Sequence, residues 1–236
     1  MLSFLLPLYL YCYLPVKSTM SPNSNTKTIV IEACVDSLAQ ALRAEALGAA
    51  RLELCASLDV GGTTPSFSLI EEVLQKVKIP IKVMVRPRGG DFVYSAEEFD
   101  DMIRSIRILK NIGVKEIVTG ILNEDKEIDL ERMQKISNVS MGMDITFHKA
   151  IDDTKVPFKE LEQLKKVKNI KSILTSGASS TATAGINNLR RMITLSGDRF
   201  SIIVAGKVTK DNLPRLHKEI GAKEYHGRLI VGDLDE

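Results

Sequence analysis

From Thr28 onward the chain alternates between two hydrophobic rhythms. Short runs rich in β-branched and apolar residues recur near 28–34, 51–55, 80–86, 115–120, 142–148, 170–176, 200–205 and 223–227, and each predicts a strand. Between them, segments near 37–47, 67–77, 97–111, 127–137, 158–167, 184–196 and 210–219 carry helix-period patterns and predict seven helices. Leu69, Val73, Leu74 and Val77 form one such apolar stripe, and Met102, Ile103, Ile106 and Leu109 another. Ser95-Ala96-Glu97-Glu98 reads as a capping box, while Ser66 and Thr209 are placed to cap their helices. Gly48, Gly113 and Gly221 follow helix ends, where a left-handed residue closes the last turn. Strict alternation of strand and helix predicts parallel pairing through right-handed crossovers. Eight strands within residues 28–236 therefore predict an α/β chain of the (β/α)8, TIM-barrel type. No Gly-x-Gly-x-x-Gly follows the first strand, which removes the dinucleotide-binding open sheet. The pattern holds no eighth helix after the last strand.

Residues 1–27 stand apart from this pattern. Met1–Val16 is almost wholly apolar, too short for a comfortable bilayer span and interrupted by Pro7 and Pro15. It lacks the basic start and small-residue cleavage site of a secretory signal, and a polar linker from Ser21 to Thr26 follows it. It reads as an extension outside the fold, with a signal or anchor as the alternative.

Period-two alternation says which side chains share a strand face. Glu32 and Cys34 share one face of the first strand, and Glu53 and Cys55 share one face of the second. A Glu-x-Cys tripeptide thus ends two consecutive strands, and strands roughly 4.8 Å apart would bring the two thiols close. Arg86 and Arg88 continue the Met84 face of the third strand, His148 shares a side with Thr146, and His226 with Glu224. With the apolar faces packed on helices, Glu32, Glu53, Arg86, Arg88, His148 and His226 are expected to converge at the carboxyl-terminal barrel mouth. Buried charges need partners, and the simplest arrangement sets Glu32 and Glu53 against Arg86 and Arg88. Such a layer could merely fill the barrel. Alternatively, guanidinium groups beside a histidine suit an anionic ligand.

The turns after strands two, three and six, Gly61–Ser66, Pro87–Phe92 and Thr175–Ser180, are small and rich in glycine or hydroxyl groups, able to cradle an anion with backbone N–H groups. This draws Ser176, Gly177 and Gly206 into a candidate ligand site. His148 is the acid–base candidate, because a strand-end histidine near carboxylates can titrate around neutral pH. Asp152, Glu32 and Glu53 would orient or assist. Cys34 and Cys55 are soft donors fit for Cu(I) or zinc, although no Cys-x-x-Cys or His-Glu-x-x-His completes a standard zinc set. Two buried thiols can equally be small hydrophobes. Cys12 and His217 are given no role.

Composition narrows the field without choosing within it. The 32 basic and 30 acidic side chains leave a formal charge of +2, which argues against nucleic acid as partner. Trp is absent and aromatic residues make up 5 %, so no base-stacking platform is expected. Three cysteines, an odd number, cannot form a disulfide framework, so an oxidising compartment is not indicated.

Several stretches resemble the CutC copper homeostasis family. They are Ile31-Glu32-Ala33-Cys34-Val35-Asp36-Ser37, Arg51-Leu52-Glu53-Leu54-Cys55, Arg86-Pro87-Arg88-Gly89-Gly90-Asp91-Phe92 with Tyr94-Ser95, Thr146-Phe147-His148-Lys149-Ala150 and Leu174-Thr175-Ser176-Gly177. The resemblance runs in order from about residue 28 to 226. It implies a TIM-type barrel, a homo-oligomer, and a cytoplasmic protein, with the nucleus as a further location, linked to copper tolerance. It also implies Cu(I) binding by the two strand-end cysteines, here Cys34 and Cys55. The alternative is a barrel enzyme for a small anionic metabolite, with Arg86 and Arg88 as clamp and His148 as acid or base. Two stretches depart from the family pattern: Ala205-Gly206-Lys207 replaces a glycine triplet after strand seven, and Tyr225-His226-Gly227-Arg228 replaces Phe-His-Cys-Ser after strand eight.

Overall fold

A computed structural model describes residues 29–235. The order is β1 (Val30–Val35), α1 (Leu38–Ala46), β2 (Arg51–Leu54), α2 (Phe67–Lys76), β3 (Ile81–Met84), α3 (Ala96–Asn111), β4 (Glu116–Thr119) and α4 (Leu130–Val139). Then come β5 (Asp144–Phe147), α5 (Pro157–Leu164), β6 (Ile170–Thr175), α6 (Ile186–Ser196), β7 (Ser201–Val204), α7 (Leu213–Ile220) and β8 (Glu224–Gly227). The eight strands pair in parallel and in sequence order, and β8 closes on β1. The expected (β/α)8 barrel is present. The apolar run 1–16 and its linker lie outside the described residues.

The strand pleat sorts the side chains into two shells. Ala33, Val35, Leu52, Leu54, Val83, Ile117, Ile145, Phe147, Ile173, Val204 and Tyr225 point outward and join the helices in one large buried cluster. Covering the strands this way removes their apolar surface from water, which drives closure of the barrel. The opposite parity points inward.

Helix starts follow their local chemistry. The Ser95 hydroxyl accepts from Glu98 N–H while the Glu98 carboxylate accepts from Ser95 N–H, so α3 opens with the capping box its sequence predicts. Ser95→Ala should lower stability by about 1 kcal/mol, read as a fall of roughly 2–4 °C in the midpoint of a thermal melt. Ser66 caps α2 as expected. Thr209 does not cap α7: it exchanges hydrogen bonds with Asn212, and the helix proper starts at Leu213, with Pro214 in its first turn. His217 is half-buried against Tyr225, at 3.2 Å from its hydroxyl, rather than on a free surface.

Among the described residues seven α-helices flank the barrel. Where an eighth would lie, the chain after β8 runs in turns against α1. Ile230, Val231 and Leu234 are buried there, Arg43 donates to the Asp233 carbonyl, and Gln40 donates to Asp235.

Candidate metal and anion site at the barrel mouth

Inside the barrel the side chains form tiers. The lowest is ionic. Glu32, wholly buried, accepts from Arg51 and lies 3.4 Å from Lys82 Nζ; Lys82 also reaches Glu116 at 2.8 Å, and Arg51 reaches Glu224 at 2.5 Å. This corrects the expected partners, since neither Glu32 nor Glu53 pairs with Arg86 or Arg88. The bases that neutralise Glu32, Arg51 and Lys82, share the inward parity of Glu53 and Met84 and could have been found by it.

Strand register builds the next tier. Cys34 lies opposite Glu53 across the β1–β2 ladder, and Glu32 lies opposite His226 across β1–β8. Glu53 Oε2 sits 3.3 Å from Cys34 Sγ and 3.5 Å from Cys55 Sγ, and the two sulfurs are 3.9 Å apart. His226 bridges the tiers, with Nδ1 2.8 Å from Glu32 and Nε2 3.7 Å from Glu53. Met84, Val118 and Leu58 pack round the thiols. Gly62 lets the chain pass this close: a Cβ there would lie 3.1 Å from Cys55 Sγ, and its φ of +86° is one that glycine adopts without strain.

The electrostatics of this cluster are coupled. Burial pushes Glu32 up, but Lys82, His226 and Arg51 outweigh it and hold its carboxyl well below the usual range. Burial raises Glu53 to about 8, with His226 opposing and the negative charges of Cys34 and Glu32 adding to the rise. A hydrogen bond from Cys55, against burial and with help from His226, lowers the Cys34 thiol to about 5. Cys55, donating to Cys34 and buried, is pushed well above its ordinary value. His226 is held protonated, because Glu53, Cys34 and Glu32 overcome its desolvation. The tier thus favours one thiolate beside an imidazolium.

A cavity of about 560 Å³ opens above this tier, lined among others by Cys34, Glu53, Arg86, His148, Gly206 and His226. Arg86 is buried and donates to the carbonyls of Val60, Gly62 and Gly90, so the glycine turns after β2 and β3 present oxygens to an arginine rather than N–H groups to an anion. Arg88 turns away. It pairs with Glu98 and Asp91 on a half-exposed surface and lies over the Tyr94 ring, because the β-ladder has ended before Pro87 and parity no longer governs. The expected double-arginine clamp is therefore a single arginine.

The turn after β6 is also already satisfied. Asp152 accepts from the backbone N–H groups of Ser176 and Ala178, from the Thr175 hydroxyl and from Lys149. The N–H of Gly177 is taken by Thr175 Oγ1. The anion held in this cradle is the protein's own carboxylate, so Asp152, Ser176 and Gly177 order the mouth rather than bind a ligand through that turn. Gly206 does line the cavity, and Lys207 beside it holds a φ of +57°, a conformation costly for a residue with a Cβ.

His148 accepts from the Ala150 N–H at Nδ1, which puts the proton of its neutral ring on Nε2. Its edge abuts Gly120, where a Cβ would come within 2.7 Å of Nδ1. Burial, with the Arg86 charge adding, lowers its pKa to about 3. The ring is therefore a neutral donor at physiological pH rather than a group poised near neutrality. The unfolded chain takes up this proton from pH 6.5 downward and the folded one does not, so stability falls as pH drops from 6.5 toward 3. Nitrogen NMR of the imidazoles should show His148 as the Nε2–H tautomer, unchanged on acidification through pH 6.5; titration near 6.5 would contradict this placement.

Fold and site together define a parallel (β/α)8 barrel with a buried thiol–carboxylate cluster at its carboxyl-terminal mouth. The CutC family model matches residues 29–231. The human copper homeostasis protein cutC homolog is 40 % identical over 197 residues, 84 % of this chain and 72 % of that protein. A family protein CutC from Mesorhizobium japonicum is 37 % identical over 203 residues, 86 % of this chain and 78 % of its own. A crystal structure of CutC from Streptococcus agalactiae superimposes with a TM-score of 0.82 at 32 % identity, covering 86 % of this chain and 100 % of that one. The chain belongs to the CutC copper homeostasis family.

Proposed function

We propose that this protein binds Cu(I) as cargo through Cys34 and Cys55. The observation that carries the reading is the spacing of donors: two sulfurs 3.9 Å apart, with a Glu53 oxygen within 3.5 Å of both. The ligand atoms of Cys34, Glu53 and Cys55 all lie within 4.8 Å of one another. One soft ion with bonds of ~2.3 Å to sulfur can touch both thiolates at that separation. Thiolates select Cu(I) over the hard divalent cations, and Cu(I) is satisfied by fewer ligands than zinc. Cys34 lines the cavity while Cys55 is wholly buried behind it, so an ion would meet Cys34 first. Binding through both sulfurs requires the Cys55 thiol to release its proton to solvent, because His226 is already protonated and Glu53, raised to about 8, is largely protonated at neutral pH. The proposal includes a homo-oligomeric cytoplasmic protein, supported by the family resemblance.

Titration of the copper-free protein with Cu(I), in competition with a coloured Cu(I) chelator, tests the reading. One tightly held Cu(I) per chain is expected, and none in the Cys34→Ser, Cys55→Ser double variant. Unchanged stoichiometry in that variant would remove the proposal.

A second reading, an enzyme for a small anionic metabolite, is favoured by the arginine and histidine on the cavity wall. His148 would serve it as a hydrogen-bond donor and not as the base, because a group lowered to about 3 is a poor proton acceptor at neutral pH.

A further inference from the structure

We infer that Arg86 and His148 form a binding site for a compact oxyanion, a carboxylate or phosphate carried by a small metabolite, on the cavity wall and independent of the thiols. The inference rests on the second reading above and not on copper.

The first argument is an unbalanced charge. Arg86 is 4 % exposed, and among the described residues no carboxylate pairs with it. Its three hydrogen bonds go to neutral carbonyls and use three of the five N–H donors of a guanidinium. Its Nε is buried and has no hydrogen-bond partner. A buried cation without a counter-ion is costly, and a bound anion is the simplest way to offset that cost.

The second argument is an unused donor next to it. His148 is 3 % exposed, its Nδ1 is occupied by Ala150, and its Nε2 has no partner. Phe92 ties the two residues together, with the Arg86 guanidinium 4.7 Å from its ring centre and the His148 ring centre at the same distance. Both line the one cavity. The buried Tyr94 hydroxyl lies off the cavity wall beside Arg86, whose charge and side-chain hydrogen bonding partly oppose the rise that burial imposes on it. A buried donor without an acceptor is costly, and a single oxyanion can accept from several.

The third argument is the surrounding field. Lys207 and Arg228 stand on the same rim; Arg228 is paired with Asp235, and Lys207 makes no ion pair among the described residues. Asp152 is neutralised by Lys149 and its backbone donors. The wall carries net positive charge where a ligand would enter.

Calorimetric titration of the copper-free protein with inorganic phosphate and, separately, with malonate tests this site, with nitrogen NMR following His148. At least one probe should bind saturably and one to one, and shift the His148 Nε2–H signal. Preference for phosphate would mark a tetrahedral headgroup, and preference for malonate a planar carboxylate. His148→Phe keeps the ring volume and leaves the arginine turns untouched; it should weaken binding roughly tenfold, as should Arg86→Gln. The Cys34→Ser, Cys55→Ser variant should bind the probe as the natural protein does, so failure of the copper reading leaves this result standing. No saturable binding of either probe, or binding unchanged in His148→Phe, would overturn the inference.

Discussion

Replacing Glu32 by Gln is expected to destabilise the protein by about 3–5 kcal/mol, the cost of removing one member of a buried ion network. Glu32 is the acceptor at the centre of the barrel floor, touching Arg51, Lys82 and His226. The neutral amide leaves Lys82, itself 1 % exposed, with Glu116 as its remaining carboxylate, and deprives the imidazolium of its nearest one. Chemical unfolding should read this as a lower midpoint with an unchanged slope. The acid limb gives a second readout. Glu32 is held below its ordinary 4.5, so its contribution is present above that value and is lost as pH falls below it toward the folded pKa. The variant should therefore lose less stability on acidification than the natural protein. Pairing Glu32→Gln with Lys82→Met should cost less than the sum of the two changes, because the charge each would strand is gone. Additive losses would mean that the two residues do not share one network.

Cys34→Ser alone should weaken Cu(I) binding by a factor of roughly sixty to several hundred. A four-ligand structural zinc site is worth about 10–16 kcal/mol, or roughly 2.5–4 kcal/mol per ligand, and each 1.4 kcal/mol is tenfold. Serine keeps the size of the side chain and removes the soft donor. Cys55→Ser should cause a comparable loss, although Cys55 is wholly buried, because both sulfurs are needed to hold an ion of low coordination number. Glu53→Gln should matter far less, since a carboxyl raised to about 8 is a weak third ligand at neutral pH. The competition titration measures all three. A Cys34→Ser variant with unimpaired affinity would place the copper elsewhere.

Much of this arrangement was legible because strand parity is a rigid rule while the ladder lasts. Glu32, Cys34, Glu53 and His226 lie inside the barrel, as alternation requires, and the β1–β2 register brings the two Glu-x-Cys repeats together. The same rule also puts Arg51 and Lys82 inside, in line with Glu53 and Met84, although the charges expected to meet Glu32 and Glu53 are those of Arg86 and Arg88. Arg88 departs from the parity expectation for a physical reason. β3 ends at Met84 and Pro87 breaks the alternation, after which tertiary partners, Glu98 at the start of α3 and the Tyr94 ring, decide where the side chain goes. The small residues of the turn after β6 predict an anion cradle, yet no sequence pattern says that Asp152, from the short turn after β5, fills it. The imidazole of His148 lies at the mouth as expected, but its neutrality depends on Arg86 and on burial, which appear only once the strands are closed.

The central claim is that thiols from two neighbouring strands act as one metal-binding pair. X-ray absorption at the copper edge, on protein loaded with one equivalent of Cu(I), measures this directly. A first shell containing two sulfurs, both lost in the Cys34→Ser, Cys55→Ser variant, is the expected spectrum. A shell of nitrogen and oxygen alone, or a sulfur shell that survives the double substitution, would contradict it.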